Sequence, residues 1–308
     1  MRMTSSAECP DCHSLQSEYI GEIPRSYEFA GTALDNPIAS SQLYRCKKCF
    51  LYRREPRLSK SQLDVLYKKA NISVWHARND KRPDWVIANA IIKSERNVAS
   101  ILDVGCSDGR FLSQLGGSCT KYGLELHPEA ANIAAQKGVN IVGNDFSVLK
   151  DLPMSFDVVV AMDVIEHVER PNEFLESIVK ITNPGGLILL STGTTDAWSW
   201  KVMGGMYWYC HNAEHISFIN VRWCKLAAFS LRLSVEQLFR FSHENLKPLE
   251  YTVQAFTNIL YRYAPRLALH LRHLYSTISR KPLRHTDSTP PQWRMAKDHL
   301  LVVYRKPI

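Results

Sequence analysis

Ile101-Leu102-Asp103-Val104-Gly105-Cys106-Ser107-Asp108-Gly109 is the stretch from which the fold can be read. A short apolar run of strand type ends in an acid, and glycines follow where a strand must turn into a helix. Glycine lets backbone come close to a ligand, and the free amides at a helix start can receive a carboxylate or phosphate. Dinucleotide-binding turns use the same chemistry, so the residues downstream must decide. The full Gly-x-Gly-x-x-Gly order is absent, which argues against a dehydrogenase.

From Val98 onward short apolar runs alternate with helical stretches, the pattern of a parallel sheet covered on both faces. Strands are expected at 100–104, 121–126, 139–142, 156–162 and 187–191, with helices at 129–137 and 172–181 among them. A helix at 221–230, a strand at 235–241 and a last strand at 299–304 should complete the sheet. Glu125 stands twenty-two residues after Asp103 at the end of the second strand, where an acid can accept hydrogen bonds from both hydroxyls of a ribose. After the third strand, Asn144, Asp145 and Phe146 offer an acceptor for an adenine amino group and an apolar wall; loop aspartates also cap helices. The fourth strand ends at Met162 and runs into Asp163-Val164-Ile165-Glu166-His167, and Asn183-Pro184-Gly185-Gly186 precedes the fifth.

In order and spacing, residues 98–192 resemble the class I S-adenosylmethionine (SAM)-dependent methyltransferases. The resemblance implies a doubly wound α/β fold, with a seven-stranded Rossmann-like sheet whose final strand is antiparallel. It further implies SAM as cofactor, held by Asp103, Gly105, Cys106, Ser107, Gly109, Glu125, Asp145, Phe146 and Met162. The family pattern has glycine where Ser107 stands. No Asn-Pro-Pro-Tyr or Asp-Pro-Pro-Tyr tetrad follows the fourth strand, so N6-methylation of a nucleic-acid base is disfavoured.

Four of the eight cysteines fall in two pairs, Cys9-Pro10-Asp11-Cys12 and Cys46-Lys47-Lys48-Cys49, which can bring four thiolates to one tetrahedral zinc. Such a closed site has no open position, so its expected role is to fold a segment too small to bury a core. Residues 1–58 are read as an otherwise irregular zinc-binding module and 59–97 as linker helices, one opened by a Ser59/Gln62 capping box; 98–308 form the methyltransferase domain. Similar N-terminal modules occur in bacterial sugar-modifying methyltransferases of polysaccharide clusters and in some ribosomal-RNA guanine methyltransferases. The implied acceptor is therefore a small molecule or saccharide, with RNA as the alternative.

The acceptor side is expected after the fifth strand, in Tyr207-Trp208-Tyr209-Cys210-His211-Asn212-Ala213-Glu214-His215-Ile216-Ser217-Phe218. Its Glu-His-x-Ser-aromatic core resembles the segment carrying the proposed base of sugar C-methyltransferases. His215 is the candidate base, assisted by Glu214, with His167 facing the same cleft by family analogy. The bland readings are a loop-bonding His215 and a capping His167. Trp198, Trp200, Tyr207, Trp208 and Tyr209 can stack on an acceptor or pack a lid.

A composition of 45% hydrophobic and 22% charged residues excludes a disordered chain. No apolar run is long enough to span a membrane and no signal-peptide core opens the chain, so a cytoplasmic location is expected. Eleven Lys and Arg against three acids between Lys247 and Ile308 account for the whole net charge of +8. They fall largely on an insertion at 247–292, where Val253, Phe256, Leu260, Tyr263, Leu267, Leu271, Leu274 and Ile278 recur at helical spacing around Pro265. Two basic amphipathic helices there can form an acceptor lid or homodimer cap, lie through 249–284 on the inner membrane face, or meet RNA phosphates.

Overall fold

The computed structural model describes residues 8–69, 82–243, 248–279, 290–293 and 296–308. The first strands are β1 (Ser17–Ile23), β2 (Ser26–Phe29), β3 (Thr32–Ile38), β4 (Ser41–Cys46) and β5 (Tyr52–Glu55). The main sheet is built from β6 (Ser100–Val104), β7 (Thr120–Leu124), β8 (Asn140–Gly143), β9 (Phe156–Met162) and β10 (Thr182–Gly193), joined by β12 (Ser234–Phe241) and β13 (His299–Arg305). A short β11 (Ser217–Phe218) lies outside it.

The main sheet has seven strands in the order β12-β13-β10-β9-β6-β7-β8. β13 runs antiparallel to both neighbours, whereas β6, β7, β8, β9 and β10 are mutually parallel. Alternate residues of its strands feed two cores. Leu102, Val104, Val159, Ala161, Ile188 and Leu190 pack on one face, and Ile101, Val158, Val160, Leu187 and Leu189 on the other. That period of two, with both sides apolar, is why these segments read as continuous hydrophobic runs. Because β6 lies between β7 and β9, the winding reverses at β6, and the crevice beyond the carboxyl ends of β6 and β9 is where such sheets bind ligands.

Residues before 58 are not irregular, as the turn-rich sequence suggests. β1, β4, β5 and β11 form a four-stranded sheet, and β2 and β3 a hairpin beside it. The pattern hides these strands because arginines help fill the buried positions: Arg53 and Arg54 are both inside, Arg53 held by Ser17 Oγ at 2.9 Å and Glu55 Oε1 at 3.2 Å. The expected capping box at Ser59 is formed, with Ser59 N donating to Gln62 Oε1 and Gln62 N to Ser59 Oγ.

The basic insertion folds as two helices, Pro248–Tyr263 and Pro265–Ser279, divided at Pro265. Its inner contacts come from Ala255, Tyr261, Ala268 and Leu269, while Val253, Phe256, Tyr263, Leu267, Leu271, Leu274 and Ile278 are exposed. The apolar stripe seen in the sequence thus faces away from the sheet. Lys247, Arg280, Lys281 and Arg284 lie outside the described residues. Among the described residues no helix is long and apolar enough to cross a membrane.

Candidate functional site

The carboxyl end of β6 carries the first turn in close contact with its neighbours. Gly105 N and Cys106 N donate to Leu124 O at 2.8 and 3.1 Å, tying the turn to β7. Gly105 has φ +80°, and a Cβ there would stand 2.6 Å from Val164 Cγ2, so both backbone and space demand glycine. Ser107 adopts φ 49°, the left-handed region; this is why glycine suits the position and how serine costs a little there. Buried Cys106 puts its Sγ where a side chain on Gly123 would collide.

Glu125 closes this loop. Its Oε2 accepts from Ser107 N and its Oε1 from His127 N, each at 2.8 Å. Burial raises its pKa against the pull of those two amides. Asp103 is buried beneath and held well above the usual carboxylate range, first by desolvation and then by Glu125, with Arg82 opposing. Asp145 is exposed and caps the short turn Phe146–Lys150, its Oδ1 accepting from Ser147 N at 2.7 Å. Phe146 packs edge-on against Phe174 at 5.7 Å, and Met162 sits half-buried at the end of β9.

Sequence reasoning missed Arg82, which donates to Asp84 Oδ2 at 2.5 Å and Asp163 Oδ2 at 2.7 Å from one nitrogen. The arginine lies over the Trp85 ring at 5.4 Å and joins the helix Pro83–Ser94 to the end of β9. The signal was local: Arg-Pro-Asp places proline at the first helical position and an acid in the first turn.

Beyond β9, Glu166 is buried, its Oε2 accepting from Thr192 Oγ1 at 2.8 Å and its Oε1 from Tyr209 OH at 2.5 Å. Desolvation, with Asp163 adding to it, lifts its pKa to about 7. The His167 and His215 rings meet edge to face at 4.9 Å. His215 Nδ1 is 3.1 Å from Tyr209 O, and burial holds this imidazole well below its ordinary pKa, hence neutral. The carboxylate expected to orient His215 does not do so. Tyr209 supplies the carbonyl instead, while Glu214 offers its backbone oxygen to His167 Nδ1 at 3.2 Å. The aromatic run is mostly interior: Trp200, Tyr207 and Tyr209 are buried, Trp208 Nε1 donates to Asp298 Oδ2, and only Trp198 is exposed.

The acceptor segment is clamped from the N-terminal sheet. β11 pairs with β5, and buried Arg54 donates to the carbonyls of Cys210 and Asn212. Ile216 N completes the hold by donating to Glu166 O at 2.8 Å.

The four cysteines of the two knuckles converge: Cys9 and Cys49 sulfurs are 3.6 Å apart, Cys12 and Cys46 3.5 Å, and all four lie within 4.8 Å of one another. Zn–S bonds of about 2.3 Å in a tetrahedron require S···S separations of about 3.8 Å, so the thiols fit that ion. Both knuckles turn alike, with Cys9 O accepting from His13 N, Cys46 O from Phe50 N, and positive φ at His13 and Phe50. Asp11, between Cys9 and Cys12, accepts from Asn172 N and from Trp223 Nε1, each at 2.7 Å, and so pins its knuckle to the main domain.

A seven-stranded sheet of this order, with an acid-pinned glycine turn at its switch point, is the Rossmann-like arrangement that the sequence resemblance implies. The profile of a methyltransferase-domain family matches residues 74–227, and the chain belongs to that family. It is 33% identical over 144 residues to ubiquinone biosynthesis O-methyltransferase of Xanthomonas campestris, covering 43% of this chain and 58% of the relative. The mitochondrial enzyme of that name from Schizosaccharomyces pombe is 32% identical over 131 residues, 38% of this chain and 46% of that one. The chain thus spans about half the length of these curated relatives. Among solved structures it resembles a chain of the Haloferax volcanii complex between the Trm112 methyltransferase activator and a protein described as a methyltransferase. That match has TM-score 0.50 and 16% identity, over 74% of this chain and 92% of the other.

Proposed function

We propose that this enzyme methylates a hydroxyl oxygen of a small acceptor bound between the carboxyl ends of β9 and β10 and the 207–218 segment. The observation that carries the reading is the cluster of Glu166, His167 and His215 beside the cofactor crevice, together with relatives named as O-methyltransferases. The saccharide acceptor rests on the resemblances of the 214–218 segment and of the N-terminal cysteine module, and finds no support among those relatives.

Bound SAM supplies a sulfonium methyl that is already activated, so the chain must align the acceptor and dispose of one proton. The acceptor oxygen forms a bond to the methyl carbon as the C–S bond breaks, and that electron pair stays on sulfur. In this reading Asp103, Glu125 and the Gly105–Gly109 turn hold the cofactor, with Asp145, Phe146 and Met162 along its edge. The neutral imidazole of His215, whose Nδ1 lies against Tyr209 O, accepts the hydroxyl proton on Nε2, with His167 beside it. A zinc ion held by Cys9, Cys12, Cys46 and Cys49 would fix the N-terminal sheet, and through it the acceptor segment. The outward apolar stripe of the helical insertion, with Arg266 and Arg272, suits peripheral contact with an anionic membrane.

The test is transfer of labelled methyl from SAM to three panels: polyhydroxylated aromatics, saccharides and total RNA. The expected result is a methyl ether on a small hydroxyl compound. Label appearing only in RNA overturns the reading.

A further inference from the structure

Between the N-terminal sheet, the helix Trp198–Met203 and the helix Pro248–Tyr263 lies a cavity of about 220 Å³ that no step of the methyl transfer uses. We propose that it binds a small organic anion, one carboxylate or phosphate group on a body about the size of a single ring.

The charges on its wall are of one sign. Lys201 and Arg262 line the cavity, and no carboxylate does so among the described residues. Half-buried Arg262 makes its hydrogen bonds to neutral atoms, Nε donating to Val202 O at 3.3 Å and a terminal nitrogen standing 3.4 Å from Met206 Sδ. Neither Arg262 nor Lys201 has a carboxylate partner among the described residues, so both charges remain for a ligand. Hydrogen bonds between ionised groups are roughly twice as strong as neutral ones, and a half-buried guanidinium gains accordingly from an anionic acceptor.

The neutral groups suit the same ligand. Thr195 Oγ1 accepts from Asn220 Nδ2 at 3.2 Å and keeps its own proton to give. Trp200, also on the wall, is buried, and its indole N–H has no acceptor among the described residues. A buried donor is seldom left so, and an anionic oxygen offers it a partner. Ile20, Val202 and the rings of Tyr52 and Trp200 supply contacts for an apolar body. Pockets for drug-sized ligands measure roughly 300–1,000 Å³, so this smaller one has room for one ring with its acid group and not for a nucleotide.

The site is built largely from elements outside the main sheet. Ile20 is on β1, Tyr52 on β5 and Arg262 on the basic insertion, while Thr195 follows the carboxyl end of β10. Trp200 joins the cavity to the acceptor segment, its ring 4.9 Å from that of Tyr207 and 6.4 Å from that of Tyr209. An occupant therefore fastens the N-terminal sheet, the insertion and the acceptor segment to one another. The site stands whether or not the methylated group is a hydroxyl.

The experiment uses full-length protein saturated with S-adenosylhomocysteine, so that the cofactor crevice is filled. Phenyl phosphate, benzoate, inorganic phosphate and phenol are titrated in by calorimetry. The expected result is one equivalent of phenyl phosphate or benzoate per chain, bound about tenfold more tightly than inorganic phosphate or phenol, which each lack one half of the ligand. Arg262→Gln and Lys201→Glu should each weaken that binding about tenfold and leave S-adenosylhomocysteine affinity unchanged, which reports that they are folded. Lys201 is exposed, so its substitution carries the test alone should Arg262→Gln lose its fold. Absence of binding by both ring acids at millimolar concentration, phenol binding as tightly as they do, or equal binding by wild type and the folded variants overturns the proposal.

Discussion

Replacing Arg54 by methionine tests whether the N-terminal sheet acts on the acceptor segment. Arg54 is buried on β5 and donates to the carbonyls of Cys210 and Asn212, the latter at 3.1 Å. Hydrogen bonds from a charged donor contribute about 1.5–3 kcal/mol each, so two represent about 3–6 kcal/mol. Against this stands the cost of burying the guanidinium, which lowers its pKa from 12.5 to about 10, equivalent to about 3 kcal/mol. The difference leaves Arg54→Met less stable by only about 2 kcal/mol, because methionine fills the site without needing solvation. The local effect is larger than the global one. With both carbonyls released, the backbone that presents His215 loses its clamp, and a misplacement of about 1 Å lowers turnover about a hundredfold. Urea unfolding gives the stability, calorimetry the SAM affinity and labelled methyl transfer the turnover. The expected pattern is modest destabilisation, SAM affinity within twofold and kcat reduced at least tenfold. A folded variant with near wild-type kcat refutes the coupling.

Glu125→Ala strips the acceptor from Ser107 N and His127 N and is expected to weaken SAM binding by about 1–3 kcal/mol, roughly fivefold to 150-fold, by calorimetry. Removing zinc with a strong chelator should release one ion per chain and slow turnover before SAM binding is lost; unchanged turnover in zinc-free protein contradicts the role given to the cysteine module. His211 is buried and held neutral, with a pKa near 4 set first by desolvation and then by Arg54. Its folded pKa lies below the unfolded value of about 6.5, so its contribution is complete above pH 6.5 and falls as pH drops from there towards 4, by up to about 3 kcal/mol. Denaturation midpoints across that window should fall less steeply for His211→Phe than for wild type. Phe256→Asp with Leu267→Asp should abolish cosedimentation with anionic phosphatidylglycerol vesicles while leaving SAM affinity intact; absence of binding by the wild type removes the membrane reading.

The main sheet was legible because its strands are buried on both faces: residues 156–162 are apolar at nearly every position and read as a strand without further context. Gly105 and Glu125 were legible for a related reason. Each does one local thing, a positive φ or an acid at a strand end, that few other residues can do there. The N-terminal strands were not, since their interior includes Arg53 and Arg54, and whether an arginine is inside depends on partners such as Cys210 O that lie far away in the chain. The stripe on the insertion was legible as a stripe, but its direction was not. Helical periodicity states that a helix has an apolar face and says nothing of which way it points; Tyr261 and Asn258 took the inside.

The same distinction separates the two ends of the candidate site. The cofactor end is made within a single chain segment and its neighbours, so spacing alone gathers Asp103, Gly105, Ser107 and Glu125. The acceptor end is assembled from pieces that only the fold brings together: Glu166 and His167 after β9, Thr192 on β10, Tyr209 and His215 in the following segment, and Arg54 from β5. The knuckle residue Asp11 reaches the helix starting at Pro171 and the indole of Trp223, and Phe50 O accepts from Asn220 Nδ2 at 2.8 Å. Both cysteine pairs are thus tied to the elements that border the acceptor side, and none of these ties touches the Gly105–Gly109 turn. A structural ion placed there stiffens the acceptor end while leaving the cofactor end to its own local geometry. Changes in the module should therefore appear in turnover and acceptor choice well before they appear in SAM affinity.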